Sequence, residues 1–129
     1  MNDASEHPEP LRAVLVDDEE HCRRTLSRLL ADHCHGVREI AQCDSVASGL
    51  EVIRTNKPDL VFLDIEMPDG TGFDLLQQAG SVPFKIIFTT AHDEYAIRAI
   101  RFSALDYLMK PISAAELRAA VERAAAPAA

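Results

Sequence analysis

No stretch of this sequence approaches the roughly 20 consecutive apolar residues needed to cross a bilayer, and its N-terminus lacks the apolar run of a secretory signal. Membrane insertion is therefore excluded and a cytoplasmic location is expected. Cysteine is scarce: Cys22, Cys34 and Cys43 are an odd number without paired spacing, which points to reduced thiols and not to a disulfide framework. Positive charge is in deficit. Thirteen Lys and Arg stand against 21 Asp and Glu, a formal charge of minus eight, whereas phosphate backbones are bound through clusters of Lys and Arg. Direct nucleic-acid binding by this chain is not expected. Neither Gly-x-Gly-x-x-Gly nor Gly-x-x-x-x-Gly-Lys-Ser/Thr follows the first apolar run, which removes most of the support for nucleotide binding.

What is present is enough apolar side chain for one core, 47% of 129 residues. Residues 1–10 and 125–129 are polar or small and broken by proline, so they read as tails, flexible and linker-like respectively, around a domain spanning 11–124. Within that span short apolar runs alternate with helical periodicity. The runs are Ala13 to Val16, Val37 to Cys43, Leu60 to Leu63, Lys85 to Phe88 and Leu105 to Met109. Between and after them lie helices through Leu26, Leu29 and Leu30, through Leu50 and Ile53, through Phe73, Leu75 and Leu76, through Ile97 and Ile100, and from Ser113 onward. Strands with continuous apolar runs are covered on both faces, and strands separated by helices run parallel. The pattern predicts a doubly wound α/β fold with five strand–helix units.

Open parallel sheets bind ligands outside the carboxyl ends of their strands. Asp17, Asp18 and Asp64 occupy such ends. If the first and third strands are neighbours, about 4.8 Å apart, their terminal carboxylates converge on one small volume. Carboxylates so placed repel one another unless a hard cation shares the site, and Mg²⁺ suits: it takes one or two carboxylates and accepts phosphoryl oxygens as further ligands. A carboxylate can itself be a nucleophile toward phosphorus, a reaction that chiefly needs positioning and charge neutralisation. Lys110, after the fifth strand, can carry an ammonium to the phosphoryl oxygens. Thr90, after the fourth, offers a hydroxyl. Taken singly, Asp17-Asp18 reads as a helix N-cap, Asp64 as a turn cap, Thr90 as a strand-end hydroxyl and Lys110 as a solvated amine. Their shared position at the ends of successive strands favours the joint reading.

Val14-Leu15-Val16-Asp17-Asp18-Glu19, Leu63-Asp64-Ile65-Glu66-Met67-Pro68-Asp69-Gly70, Thr89-Thr90-Ala91 and Leu108-Met109-Lys110-Pro111 follow one another at the spacing of response-regulator receiver domains. The chain resembles that family from roughly Leu11 to Ala124. The resemblance implies the flavodoxin-like (βα)5 fold with strand order 2-1-3-4-5. It also implies that Asp64 accepts a phosphoryl group from a sensor histidine kinase, and that Mg²⁺ is placed by Asp17, Asp18, Asp64 and the backbone carbonyl of Glu66, with Asp18 more often the direct ligand than Asp17. Thr90 and Lys110 would hold the phosphoryl oxygens, and Lys110-Pro111 matches a position of a cis peptide. Tyr107 occupies the aromatic switch position. Phosphorylation would draw Thr90 inward, let Tyr107 follow, and alter the surface of the fourth helix, fifth strand and fifth helix to favour a homodimer or a DNA-binding output. Glu66 and His92 lie two residues beyond Asp64 and Thr90, from where relatives tune the lifetime of the acyl phosphate. Read without the resemblance, they are solvated loop side chains, and Tyr107 is a half-buried amphipathic one.

The resemblance implies a phosphoacceptor switch and not an enzyme: the chain would catalyse only its own phosphoryl transfer and dephosphorylation. Glu66-Met67-Pro68, Ala91-His92-Asp93-Glu94-Tyr95-Ala96 and Phe102-Ser103-Ala104-Leu105-Asp106-Tyr107 look most like receivers attached to LytTR-type DNA-binding domains. No such domain is in this sequence, so a stand-alone receiver acting by protein contact is the alternative. Two rivals remain. An aspartyl phosphohydrolase of the haloacid-dehalogenase kind would place its nucleophile on the first strand, and an unphosphorylated interaction module would not need the full acidic, Thr and Lys set. Elsewhere, His33-Cys34-His35, with His21 and Cys22 nearby, matches no tetrahedral zinc spacing and reads as a helix end. Arg23, Arg24 and Arg28 read as a solvated face, and Asp69-Gly70-Thr71-Gly72 as a turn leading into a helix.

Overall fold

The structure, a computed structural model, describes residues 9–126. The tails expected at 1–10 and 125–129 fall largely outside the described residues. Five parallel strands form the sheet: Leu11–Val16, Val37–Cys43, Leu60–Leu63, Lys85–Thr90 and Asp106–Met109. In chain order they lie second, first, third, fourth, fifth across the sheet, the order 2-1-3-4-5 implied by the resemblance. Five helices connect and follow them: α1 (Glu20–His33), α2 (Val46–Asn56), α3 (Gly72–Ala79), α4 (Ala96–Arg101) and α5 (Ala114–Ala125).

Side chains alternate across each strand, and the central strands therefore feed two separate cores. Ala13 and Leu15 of the first strand and Leu60 and Phe62 of the third pack with Leu26 and Leu30 of α1 and Leu117 and Val121 of α5. Val14, Val16, Val61 and Leu63 point the other way, onto Leu50 and Ile53 of α2, Phe73 and Leu76 of α3, and Ala99 of α4. That two-sided burial is why these strands are apolar without alternation. The second strand lies at an edge, and its charged Arg38 and Glu39 sit where only partial cover exists.

Helix starts are set by side chains. Ser45 and Ser48 form a capping box at α2, Thr71 and Asp74 another at α3, and Ser113 caps α5. α1 has no side-chain cap: its N-cap is Glu19. Asp17 and Asp18 are thus not consumed in capping, which removes the simplest local account of that acidic pair. α1 ends at His33 with Cys34 as its C-cap, as the helix-end reading of His33-Cys34-His35 requires.

Two features differ from the sequence reading. A short antiparallel hairpin, Glu66–Met67 with Gly70–Thr71, follows the third strand. α4 is only six residues long, and the Ile97 and Ile100 pair that marked its apolar face is 72% and 74% exposed. The helix is fastened from its flanks. Tyr95 and Phe102 reach Phe73 with ring centroids 6.1 and 5.2 Å away, Arg98 lies 4.4 Å above the same ring, and Ala99 alone of the helix is buried. No helix among the described residues is long and apolar enough to cross a membrane.

Candidate functional site

The first and third strands carry their ladder one residue beyond their formal ends. Asp17 N–H donates to the Cys43 carbonyl at 2.9 Å and Asp64 N–H to the Val16 carbonyl at 2.9 Å. Both aspartates are therefore set by strand backbone, and both are 5% exposed. Each carboxylate has one oxygen fixed locally: Asp17 Oδ1 accepts from Glu19 N–H at 2.9 Å and Asp64 Oδ1 from Ile65 N–H at 2.7 Å. The second oxygens face Lys110. Its Nζ lies 2.7 Å from Asp17 Oδ2 and 3.1 Å from Asp64 Oδ2, with Glu19 Oε1 3.6 Å away. Lys110 is aimed by backbone as well, its N–H donating to the Thr90 carbonyl at 2.8 Å, and Lys110-Pro111 is cis.

Asp18 is exposed, yet carboxylate oxygens of Asp17, Asp18 and Asp64 all lie within 4.8 Å of one another. Three hard oxygen donors on one rim fit a divalent cation of the Mg²⁺ type, which keeps its remaining positions for water or phosphoryl oxygens. They open onto a cleft of about 490 Å³ walled by Asp18, Asp64, Glu66, Met67, His92 and Lys110, among others. Close approach of backbone helps to shape it: a Cβ on Gly72 would sit 2.5 Å from the Asp64 carbonyl, so α3 can start there only with glycine.

This geometry has a counterpart among known proteins, for residues 13–122 match the response regulator receiver domain family. The chain belongs to that family. The receiver is 38% identical over 117 residues to the sensory transduction protein LytT of Enterococcus faecalis, covering 88% of this chain and 48% of that protein. It is 35% identical over 116 residues to the transcriptional regulatory protein LytR of Staphylococcus aureus, covering 88% and 46%. The receiver thus spans about half the length of the curated relatives it matches, and its relatives are of the LytT/LytR type. The response regulatory domain of protein mrkE from Klebsiella pneumoniae superposes with a TM-score of 0.80 at 28% identity, covering 88% of this chain and 93% of that one. The protein is accordingly a response-regulator receiver of two-component signalling.

Electrostatics in the receiver's cleft are set by desolvation. Burial lifts the Asp64 carboxyl to about 6, with the charge of Asp17 adding and that of Lys110 opposing. Burial alone would lower the Lys110 ammonium, but its contacts with Asp17 and Asp64 outweigh it and push the ammonium above its ordinary value. Lys110 is thus held as a cation between two carboxylates.

Thr90 and Tyr107 converge elsewhere. Thr90 is fully buried and is not part of the cleft wall; its Oγ1 accepts from His92 N–H at 3.2 Å. The Tyr107 hydroxyl donates to the His92 carbonyl, its half-buried ring beside Phe88. The two residues therefore hold the two peptide units that flank His92 in the loop before α4. The His92 side chain reaches back to the acidic rim, Nε2 lying 3.2 Å from Glu66 Oε1.

Several contributors escaped the sequence reading. Tyr95 donates to Glu66 Oε2 at 2.8 Å and so holds the other oxygen of that carboxylate. Glu19 adds a third acid to the surroundings of Lys110. Arg23, read as part of a solvated face, donates to the Asp17 carbonyl at 2.6 Å. Asp69, read as a turn residue, accepts from Val46 N–H at 2.8 Å and Ala47 N–H at 3.1 Å, capping α2 from 23 residues away. Tyr95, Glu19 and Asp69 carried a signal, since all three lie within the motifs that resemble the family, whereas Arg23 carried none.

Proposed function

We propose that this receiver takes a phosphoryl group from a sensor histidine kinase onto Asp64, with Mg²⁺ held by Asp17, Asp18, Asp64 and the Glu66 carbonyl. The observation that carries this is the Lys110 ammonium 2.7 and 3.1 Å from the two buried carboxylates beside Asp18. One Asp64 oxygen attacks phosphorus, the bond to the donor breaks in line with the leaving group departing on the donor, and Lys110 meets the charge spread over the transferred oxygens. When bound, Mg²⁺ supplies that neutralisation and removes the repulsion among the acids. Release of Lys110 from Asp64 is the local cost, because a phosphoryl oxygen takes its place as partner.

The phosphoryl group then competes for the Thr90 hydroxyl, which now accepts from His92. Movement of Thr90 and of the His92 peptide frees the Tyr107 hydroxyl, and the surface of α4, the fifth strand and α5 changes its preferred partner. A homodimer through that surface and a LytTR-type DNA-binding output are the outputs proposed, supported by likeness to LytT and to the transcriptional regulator LytR. Glu66 and His92, paired across the cleft mouth, tune access of water to the acyl phosphate. Residues 11–124 form the switching unit, working in the cytoplasm. A hydrolase acting on separate substrates is disfavoured by the position of Asp64 at the third strand instead of the first.

Intact mass after incubation with a small-molecule phosphodonor and Mg²⁺ tests the reading. One phosphoryl mass is expected on the wild type and none on Asp64→Ala, with chelation of Mg²⁺ abolishing the gain. A gain that survives the substitution overturns the assignment of Asp64.

A further inference from the structure

At the start of α1, Glu19, which also borders the acidic cleft, meets His21 and Cys22, which that cleft does not use. Glu19, His21 and Cys22 each offer one ligand atom, and these lie within 4.8 Å of one another. The Cys22 Sγ is 3.5 Å from Glu19 Oε1 and 3.6 Å from His21 Nε2. Zinc–sulfur bonds near 2.3 Å, with nitrogen and oxygen bonds of 2.0–2.2 Å at the tetrahedral angle, place sulfur about 3.5–3.7 Å from the other two donors. The observed separations coincide with that range. A cavity of about 370 Å³ opens beside the three, with Thr25 and Ile112 on its wall, and leaves room for a water as fourth ligand.

We infer that Glu19, His21 and Cys22 form a second cation site, selective for a thiolate-seeking ion of the Zn²⁺ class and distinct from the hard-oxygen site of Asp17, Asp18 and Asp64. Soft sulfur and imidazole donors select such an ion over Mg²⁺. Two features of the surroundings oppose it: the positive end of α1 and the Lys110 ammonium 3.6 Å from Glu19 Oε1. A helix end is a weak field, confined to its first turn and screened by solvent. Lys110 keeps Asp17 and Asp64 when Glu19 turns to the metal. The His33-Cys34-His35 cluster does not take part, since twelve helical residues put His33 about 18 Å along α1 from His21, and Cys34 is buried. Sequence spacing alone could not separate the two halves of that histidine and cysteine set.

Titration of the reduced receiver with Cd²⁺, in the presence of a large excess of Mg²⁺, tests the site through the thiolate-to-metal charge-transfer band in the ultraviolet. One equivalent is expected to saturate the band, with Zn²⁺ displacing it. Cys22→Ser abolishes the band, and His21→Ala or Glu19→Gln weakens binding by about a hundredfold or more, beyond the 10–100-fold typical of losing an outer-shell partner. Asp18→Asn leaves the band in place, because the acidic cluster is a separate site. Glu19, His21 and Cys22 all lie near the surface, and unchanged thermal melting of the metal-free variants verifies that they fold. A band that survives Cys22→Ser, one that disappears with Asp18→Asn, or equal affinity in His21→Ala and wild type overturns the assignment.

Discussion

The two walls of the acidic cleft are fastened in different ways. On one side Asp17 and Asp64 extend the ladders of central strands, each with one carboxylate oxygen on a backbone N–H and the other on Lys110. On the other side the segment from Ala91 to Arg101 is held by side-chain contacts: Thr90 and Tyr107 on the backbone of His92, His92 and Tyr95 on Glu66, Tyr95 and Arg98 on Phe73, and one buried residue in α4. The proposed phosphoryl chemistry, which needs fixed geometry, would sit on the first wall. The second has few buried apolar contacts and solvent-exposed hydrogen bonds, the features of a region that opens locally at low cost. The switch proposed above, which would keep Asp64 still while a surface moves, needs this inequality.

Phe73 is where the two walls are joined, so its loss gives the largest expected effect. It is fully buried, and its ring meets Phe88 of the fourth strand, Tyr95, Phe102 and Arg98. Phe73→Ala is expected to cost about 3–5 kcal/mol in chemical denaturation, and amide exchange should accelerate more in α4 than in the first strand. A loss below about 1 kcal/mol, or uniform exchange, would mean that α4 is not anchored through this ring.

How far the sequence reached follows the same division. Strands buried on both faces are apolar without interruption, so the first and third strands were legible from residue type, whereas the acids that end them read as a set only through their shared position at strand ends. Lys110 was legible for the same reason, lying directly after a strand. The second wall depends on contacts between residues far apart in the chain, such as Tyr95 and His92 with Glu66, which leave no periodic trace. Ile97 and Ile100 show the remaining ambiguity. Apolar residues three apart mark one face of a helix, and nothing in that spacing tells a face turned to the core from one turned outward.

Removal of the acceptor charge is expected to act on the rigid wall with an intermediate effect. Asp64 has a folded carboxyl near 6, above the roughly 3.9 of an unfolded aspartate. A raised acid favours the folded state only while it is protonated. This group's contribution therefore declines as pH rises from about 4 to 6 and is a standing cost above that. Asp64→Asn should stabilise the metal-free receiver at neutral pH by on the order of 1–2 kcal/mol, and the advantage should vanish near pH 4. Excess Mg²⁺ should raise the wild-type melting temperature more than that of the variant, since at the proposed site the ion would bind only the folded cluster. A variant less stable than wild type at pH 7 would show that the Lys110 contact outweighs the desolvation of the carboxylate.

The smallest effect is expected where the loosely held wall meets solvent. Ile97 and Ile100 project from α4 with roughly three quarters of their surface free, and burial of a side chain stabilises only in proportion to the area removed from water. Ile100→Ser should change the stability of the dilute, unphosphorylated receiver by less than about 0.5 kcal/mol, in contrast to Phe73→Ala one layer beneath. At high concentration after phosphodonor treatment, the same substitution should reduce self-association in sedimentation experiments, because this apolar pair lies on the surface assigned to the dimer. A loss above about 1 kcal/mol in the dilute protein would reveal that the pair is packed before any signal arrives, and the contrast between a fixed wall and a movable one would then disappear.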